Sequence, residues 1–484
     1  MFTLASVLFC FIGTCIGIIF GAIPGLTTTM AIALFLPFTF GMEAIPAFAL
    51  LLGLYCGGVY GGSITAILIN TPGTPAAAAT ALDGYPLARQ GKALEALSLA
   101  TLASFIGGMF SCIVLILVAP QLAKVALSFG PPEYFAISFF GLSMVATLAA
   151  DNIVKGVIAA CFGLFIAMIG IDPIGGSLRF TFGTIHLIAG IDLICALIGL
   201  FAISEVFSKL ETIYRDKGLG HMEQIKGKFV TLKILKANAF NFLRSSIIGT
   251  IIGIIPATGV GMANWVSYNE AKRATRHPEL FGKGSYEGVA ASEAANNAVT
   301  GGAMVPLLTL GVPGDTMTAI LLGALMIQGL APGPKLFIDH PEVVTGIYGM
   351  LALANFFMLA VGLGLINLFV KIIKVPAKVL MPLVLIMCFV GSYAIQNSLF
   401  DVYVTLIFGI IGYLLVKAKF PIPPILLGII LGPLIESNFR RSITMSRGDM
   451  SIFFTRPISA VFIGIALIAM VAPILREKLT AKKA

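Results

Sequence analysis

The chain has 484 residues, 58% of them hydrophobic and only 11% charged, with a formal net charge of +9. A soluble domain charges about a quarter of its residues to cover its surface. This composition therefore excludes a water-soluble globular protein and indicates an integral membrane one.

A membrane-crossing helix needs about 20 apolar residues. In chain order, apolar tracts run over Leu4–Phe20, Leu26–Phe40, Ala47–Ile69, Ser98–Ala119, Ala136–Ala150, Ile153–Ile171 and Leu187–Phe201. They resume at Ile247–Ile255, Met304–Leu330, Val343–Val370, Val379–Leu399, Val402–Val416, Pro421–Ile435 and Ile458–Leu475. Merging short and broken tracts leaves about a dozen spans. The first tract lacks a basic flank and a small-residue cleavage site, so it reads as a retained span and not a signal peptide. The 53 glycines suit close helix packing in a bilayer.

Charge gives orientation. Arg215, Lys217, Lys226, Lys228, Lys233, Lys236 and Arg244 fill one connector, Lys272, Arg273, Arg276 and Lys283 another, and Lys478, Lys482 and Lys483 the end of the chain. The positive-inside rule places these segments in the cytoplasm, together with Arg440, Arg441, Arg447 and Arg456. They read as topology signals; no nucleic-acid partner is expected. The division that follows is a first membrane repeat over 1–213, a basic cytoplasmic connector over 214–244 and a second membrane repeat over 245–484.

The two halves echo each other. Residues 17–25, "GIIFGAIPG", match 249–256, "GTIIGIIP", and each is followed by a threonine- and glycine-bearing step, "LTTTM" at 26–30 and "ATGVGM" at 257–262. Later in each half comes a diglycine leading to Pro-Gly: "GGSITAILINTPGTP" at 61–75 and "GGAMVPLLTLGVPGDT" at 301–316, related with a one-residue slip. The connector after the first element is nearly neutral, whereas that after the second is basic, so the repeats are expected in opposite orientations. Inverted repeats with paired helix breaks mark secondary transporters. Chance similarity between glycine-rich membrane segments is the competing explanation.

The breaks themselves carry the chemistry. Pro24, Pro72, Pro256 and Pro313 each remove a helical hydrogen bond, and Gly25, Gly73, Gly259 and Gly314 permit non-helical turns. Irregular backbone survives in hydrocarbon only where it lines a cavity or is buried in protein. Half-helix N-termini favour carboxylates, and freed carbonyls suit Na⁺. Thr27, Thr28, Asn70, Thr71, Thr74, Thr258, Thr316, Asn296 and Asn297 add neutral oxygens, and Asp315 adds a carboxylate at membrane depth, which is costly without a partner or a cation. A structural kink is the plainer reading of any single proline. Glu293 is either a membrane-depth carboxylate or a cytoplasmic helix end. Asp83 is expected to cap a turn, and Arg179 and Asp172 to pair at an interface.

Other chemistries are disfavoured. The seven cysteines and four histidines are scattered without CxxC or HExxH spacing, so no metal site is expected beyond Na⁺ at the breaks. No phosphate-binding G-x-x-x-x-G-K-[ST] loop occurs, which leaves gradient-driven transport. "GVPGD" at 311–315 approaches the G-x-G-D of membrane aspartyl proteases, but proline replaces the first glycine and no companion motif is evident. No enzyme activity and no organic cofactor are expected.

Several long motifs are also familiar. "GAIPGLTTTMAIALFLPFTFG", "YGGSITAILINTPGTPAAAATALDGYPLARQGKA", "FGKGSYEGVAASEAANNAVTGGAMVPLLTLGVPGD" and "LAPGPKLF" closely resemble the large membrane subunit of tripartite tricarboxylate transporters (TctA-type). "GPPEYFAISFFGLSM", "IDPIGGSLRFTFG", "IGLFAISEVF" and "SRGDMSIFFTRPIS" extend the resemblance over nearly the whole chain. It implies a bacterial inner-membrane permease coupled to Na⁺ or H⁺, importing citrate or related di-, tri- or aromatic carboxylates. It further implies a small membrane subunit (TctB-type) and a periplasmic solute-binding protein (TctC-type) as partners. The Pro-Gly pairs at 24–25, 72–73 and 313–314 would form the substrate and cation region; the fourth break departs from the pattern as Pro256-Ala257. The fold expected is all-α, two inverted repeats with discontinuous helices or hairpins. A channel and a non-transporting scaffold subunit are the alternatives.

Overall fold

The computed structural model describes residues 2–143, 152–212, 227–256, 259–366, 368 and 377–481. Thr258, Arg215, Lys217, Lys226, Lys482 and Lys483 lie outside them.

The first half begins with α1 (Leu4–Ala22), α2 (Thr28–Phe35), α3 (Ala44–Ile69), α4 (Ala78–Leu87), α5 (Ala93–Ala126), α6 (Pro131–Ser143) and α7 (Ile153–Ala167). A two-residue ribbon follows, β1 (Gly170–Ile171) against β2 (Leu178–Arg179). Then come α8 (Leu193–Leu197), a π-turn over Ile198–Ile203 and α9 (Ser204–Thr212). The second half contains α10 (Leu232–Ala237), α11 (Ala239–Ile254), α12 (Gly259–Ala274), α13 (Tyr286–Leu310), α14 (Thr316–Ile327), α15 (Leu336–Asp339) and α16 (Pro341–Gly364). It closes with α17 (Ala377–Gln396), α18 (Leu399–Lys417), α19 (Pro423–Met445), α20 (Ile452–Thr455) and α21 (Pro457–Ala481). Of the 214–244 connector, α10 and the first turns of α11 are among the described residues.

Among the described residues seven helices are long and apolar enough to cross a membrane, and five shorter apolar helices accompany them. The fold is therefore an all-α, multi-pass membrane protein. Two expected spans are cut: Leu26–Phe40 becomes α2 and a 3₁₀ turn, and Met304–Leu330 is divided at Gly311–Asp315. Helix α3 is the centre of the molecule, with 89% of its apolar window buried against 33% for α17 and α18, which leave one side to lipid.

Glycine sets the central packing. Gly13, Gly17 and Gly21 of α1 lie on Leu50, Leu54 and Gly58 of α3, so the two helices run parallel with their backbones in contact. In the second half Gly249 and Gly253 of α11 lie on Ala295 and Val299 of α13, again parallel. Any side chain at these glycines would strike a facing carbonyl, which is the small-residue route to close helix association in membranes. Between the halves the sense reverses. Asn296 of α13 donates to the Val59 carbonyl of α3 at 3.2 Å, and Ser63 of α3 faces Glu293. Numbers rise along one helix as they fall along the other, so α3 and α13 are antiparallel.

Candidate functional site

Four interruptions surround this crossing. Helix α1 stops at Ala22; Gly25 takes φ 92°, a left-handed value that glycine adopts without strain. Thr27 then caps α2, accepting from Met30 N at 3.1 Å. Thr28 packs on Gly58, so the α1–α2 hairpin turns at the middle of α3. The Lys209 side chain of α9 lies over Gly25. In the second half α11 stops at Ile254, Gly259 takes φ 69°, and α12 returns along α13, with Ser267 Oγ donating to the Ala291 carbonyl at 3.0 Å.

The other two interruptions are re-entrant, and their geometries match. Helix α3 ends with Asn70 at φ 55° and α13 with Gly311 at φ 69°, both left-handed. Thr71 N then returns to Thr65 O at 3.4 Å, and Val312 N to Pro306 O at 3.3 Å. Pro-Gly follows in each. Gly73 is seated against the Gly21 carbonyl and Gly314 against the Gly253 carbonyl, the corresponding glycines of α1 and α11. Each chain then starts a new helical segment from inside the protein, at Thr74 and at Asp315. This alignment accounts for the slip in the sequence comparison: Pro72-Gly73 corresponds to Pro313-Gly314, and Gly61 corresponds to Gly302.

Thr74 lies at the level of Gly62 on α3, and Asp315 at the level of Tyr55. Seven residues separate these levels, about 10 Å along the helix at 1.5 Å per residue. The interruptions also interlock. Asn264 of α12 donates to the Ala76 carbonyl after the first re-entrant loop, while Tyr55 of α3 donates to Asp315 Oδ2 at 2.6 Å. Thr28, Gly73, Thr74 and Asn296 beside Gly58–Gly62 of α3, and Asp315 beside Tyr55, are thereby brought against the central helix. Asn70 and Thr71 are not: they are exposed at the outer turn of the first loop. Asn297 turns away and donates to Met358 Sδ at 2.9 Å.

Asp315 is a helix cap. Its Oδ1 accepts from Thr318 N at 2.7 Å and Thr318 Oγ1 at 2.8 Å, while the Thr318 hydroxyl also faces the Asp315 backbone, forming a capping box. Together with Tyr55 this engages both carboxylate oxygens. Pro313, Asp315 and Thr316 also line a small pocket with Ala319, Pro423, Leu426 and Leu427. A helix N-terminus already holding a carboxylate is a poor place for a second anion. The first re-entrant segment ends in neutral Thr74 and keeps that capacity.

Several polar residues were not placed at the site by sequence. Glu293 is fully buried, not at a cytoplasmic helix end; it accepts from Thr80 Oγ1 at 2.5 Å and Ser104 Oγ at 2.9 Å. Asp83 does not cap a turn. It sits inside α4, fully buried, and its Oδ1 accepts the amides of Gly282, Gly284 and Ser285 at 2.8, 2.9 and 2.8 Å, fastening the loop before α13. Arg179 and Asp172 do not pair with each other: Arg179 meets Glu436 at 2.7 Å, and Arg440 bridges Asp172 at 2.7 Å and Glu436 at 3.2 Å. Tyr55, Asn264 and Lys209 carry no one-dimensional signal beyond being polar residues in or beside apolar tracts. Among the described residues no group of three or more His, Cys, Asp or Glu side chains could hold a metal ion.

Broken helices converging on a buried polar layer define a multi-pass membrane protein built around an interior site. The chain belongs to the tripartite tricarboxylate transporter TctA family, whose family model it matches over residues 7–427. It is 37% identical over 473 residues, 98% of this chain and 94% of the relative, to an uncharacterized 52.8 kDa protein in the TAR-I ttuC' 3' region of Agrobacterium vitis. It is 38% identical over 227 residues, 47% of this chain and 94% of the relative, to an uncharacterized protein in the TAR-II ttuC' 3' region of the same organism. No solved structure matches it. As a member of this family it is a component of a tripartite transporter and works with partner subunits.

Proposed function

We propose that this chain is the substrate-translocating subunit of a cation-coupled importer of small carboxylates in the bacterial inner membrane. It acts with a small membrane subunit and a periplasmic binding protein that delivers the carboxylate. The observation that carries this reading is the convergence of four helix interruptions, two hairpin tips and two re-entrant loops, on the α3–α13 crossing. Backbone polar groups freed at such depth cost several kcal/mol each unless they are used or paired.

The two halves act as inverted repeats, 1–213 and 245–484. Their matched loops and the antiparallel α3–α13 crossing support that assignment. The substrate carboxylate binds on the first-half side, where the segment after Thr74 carries no acidic cap and Lys209 lies over the hairpin tip at Gly25. Thr27, Thr28, Gly73, Gly259 and Asn296 line the same layer; Asn70 and Thr71 shape the outer turn. Pro313, Gly314, Asp315 and Thr316 hold the second-half return. Na⁺ or H⁺ offsets the substrate charge, and movement of the interlocked hairpins exposes the layer alternately to the two sides.

The test is uptake of labelled citrate and a panel of mono- and dicarboxylates into proteoliposomes holding this chain and its small partner, with the binding protein outside. Saturable accumulation under a Na⁺ or a pH gradient is expected. Equilibration without accumulation would make the protein a channel. Transport unaffected by disrupting the hairpin tips would make the chain a scaffold.

A further inference from the structure

Glu293 is a fully buried carboxylate in the protein interior with no basic partner among the described residues. Its partners are neutral hydroxyls from two first-half helices, Thr80 of α4 and Ser104 of α5. Tyr60 of α3 is a titratable group within electrostatic reach of it. It is a phenol bonded to Thr101 Oγ1 at 2.8 Å and cannot neutralise a carboxylate. On α4, Asp83 lies one turn further on and is committed to the amides of 282–285. A carboxylate left in this state is costly in a membrane interior, where charges pair or bind ions.

A second observation points to what binds. Ser63 and Asn296 flank the carboxylate. Ser63 Oγ and Asn296 Oδ1 are both fully buried, and neither accepts a hydrogen bond from a described residue. Thr74 Oγ1, packed on neighbouring Gly62, is a third such oxygen. Asn296 Oδ1 can only accept. One positive ion that takes oxygen lone pairs satisfies these atoms and the carboxylate together, whereas a proton satisfies one of them. An all-oxygen set with a single carboxylate suits a hard monovalent cation.

We propose that Glu293, with Ser63 and Asn296, forms a Na⁺ site at the α3–α13 crossing, and that this is the coupling-ion site of the transporter. The inference rests on the cation-coupled reading above and locates its ion. The ligands come from both halves, and Thr80 stands on the helix that follows the first re-entrant loop. Occupancy therefore fixes the position of that loop, so an ion and a carboxylate bound beside it favour the same arrangement.

The test is thermal unfolding of the purified full chain titrated with NaCl against choline chloride at constant ionic strength, read beside proteoliposome uptake. Na⁺ is expected to raise the melting temperature saturably and Glu293→Gln to abolish the rise. Ser63→Ala keeps the carboxylate and removes only one of the hydroxyls that face it. It is expected to raise the half-saturating Na⁺ concentration roughly tenfold, the order seen when one group supporting a bound metal is lost. If Glu293→Gln cannot be purified folded, Ser63→Ala decides. A Na⁺ response unchanged in these variants would overturn the site while leaving Na⁺ coupling in place. Absence of any Na⁺ response in a wild-type chain that accumulates substrate under a pH gradient would also overturn it. A response lost in the variants, with no gradient-driven uptake by the wild type, would keep the site and sink the transport reading instead.

Discussion

Replacing Asp315 separates its capping work from any use of its charge. In Asp315→Ala the cap on Thr318 N is lost, worth about 1 kcal/mol. The buried Tyr55 hydroxyl loses its acceptor, a further cost of about 1–3 kcal/mol. The sum is about 2–4 kcal/mol, concentrated where α14 leaves the second re-entrant loop. In Asp315→Asn the amide oxygen still accepts from Thr318 N and Oγ1, and the amide nitrogen can donate to the Tyr55 oxygen, since a phenol both donates and accepts. That change is expected to cost less than about 1 kcal/mol. Cys10, Cys56, Cys112, Cys195 and Cys388 are buried free thiols, so a thiol-reactive dye reads unfolding above the constant signal of exposed Cys161. The expected result is a clear fall in melting temperature for the alanine variant, little change for asparagine, and uptake by the asparagine variant within about threefold of wild type, as both carboxylate oxygens are already engaged. Equal destabilisation by both changes would refute the capping argument. A stable asparagine variant without uptake would show that the charge itself is used.

Other consequences can be checked alongside. Gly73→Ala puts a methyl group into the Gly21 carbonyl, whereas nothing lies within 4 Å of a side chain at Gly464; the first is expected to lose folded protein on purification and Gly464→Ala to purify normally. Lys209→Ala is expected to raise the substrate concentration for half-maximal uptake with little effect on melting temperature, and an unchanged uptake curve would remove Lys209 from the carboxylate site. The amide of Ile174 and the Arg440 guanidinium hold the Asp172 carboxyl down at about 2. Its folded value lies below the unfolded one, so its contribution is complete above pH ~4 and fades as pH falls toward 2. Hydrogen exchange of the loop after β1 should stay flat down to pH ~4 after correction for intrinsic rates and lose protection below it, and Arg440→Gln should move that loss upward.

What the sequence determined by itself is what composition and local chemistry dictate. A chain with 11% charged residues cannot face water on all sides, and proline after glycine-spaced apolar residues must end a helix wherever it falls. The four interruptions, their pairing and the family resemblance were therefore legible in one dimension. Depth and partnership were not. Glu293 and Asp83 are both carboxylates beside small residues; only packing shows that one is ringed by hydroxyls and the other takes three amides. Asn70 read as a site oxygen, but its left-handed turn puts it on the outside of the loop. The register between the two Pro-Gly segments shows only in packing, where Gly73 rests on the Gly21 carbonyl of α1 and Gly314 on the Gly253 carbonyl of α11. Burial, and the company a polar atom keeps, depend on helices far apart in the chain crossing at a chosen level, and the tertiary structure alone decides that.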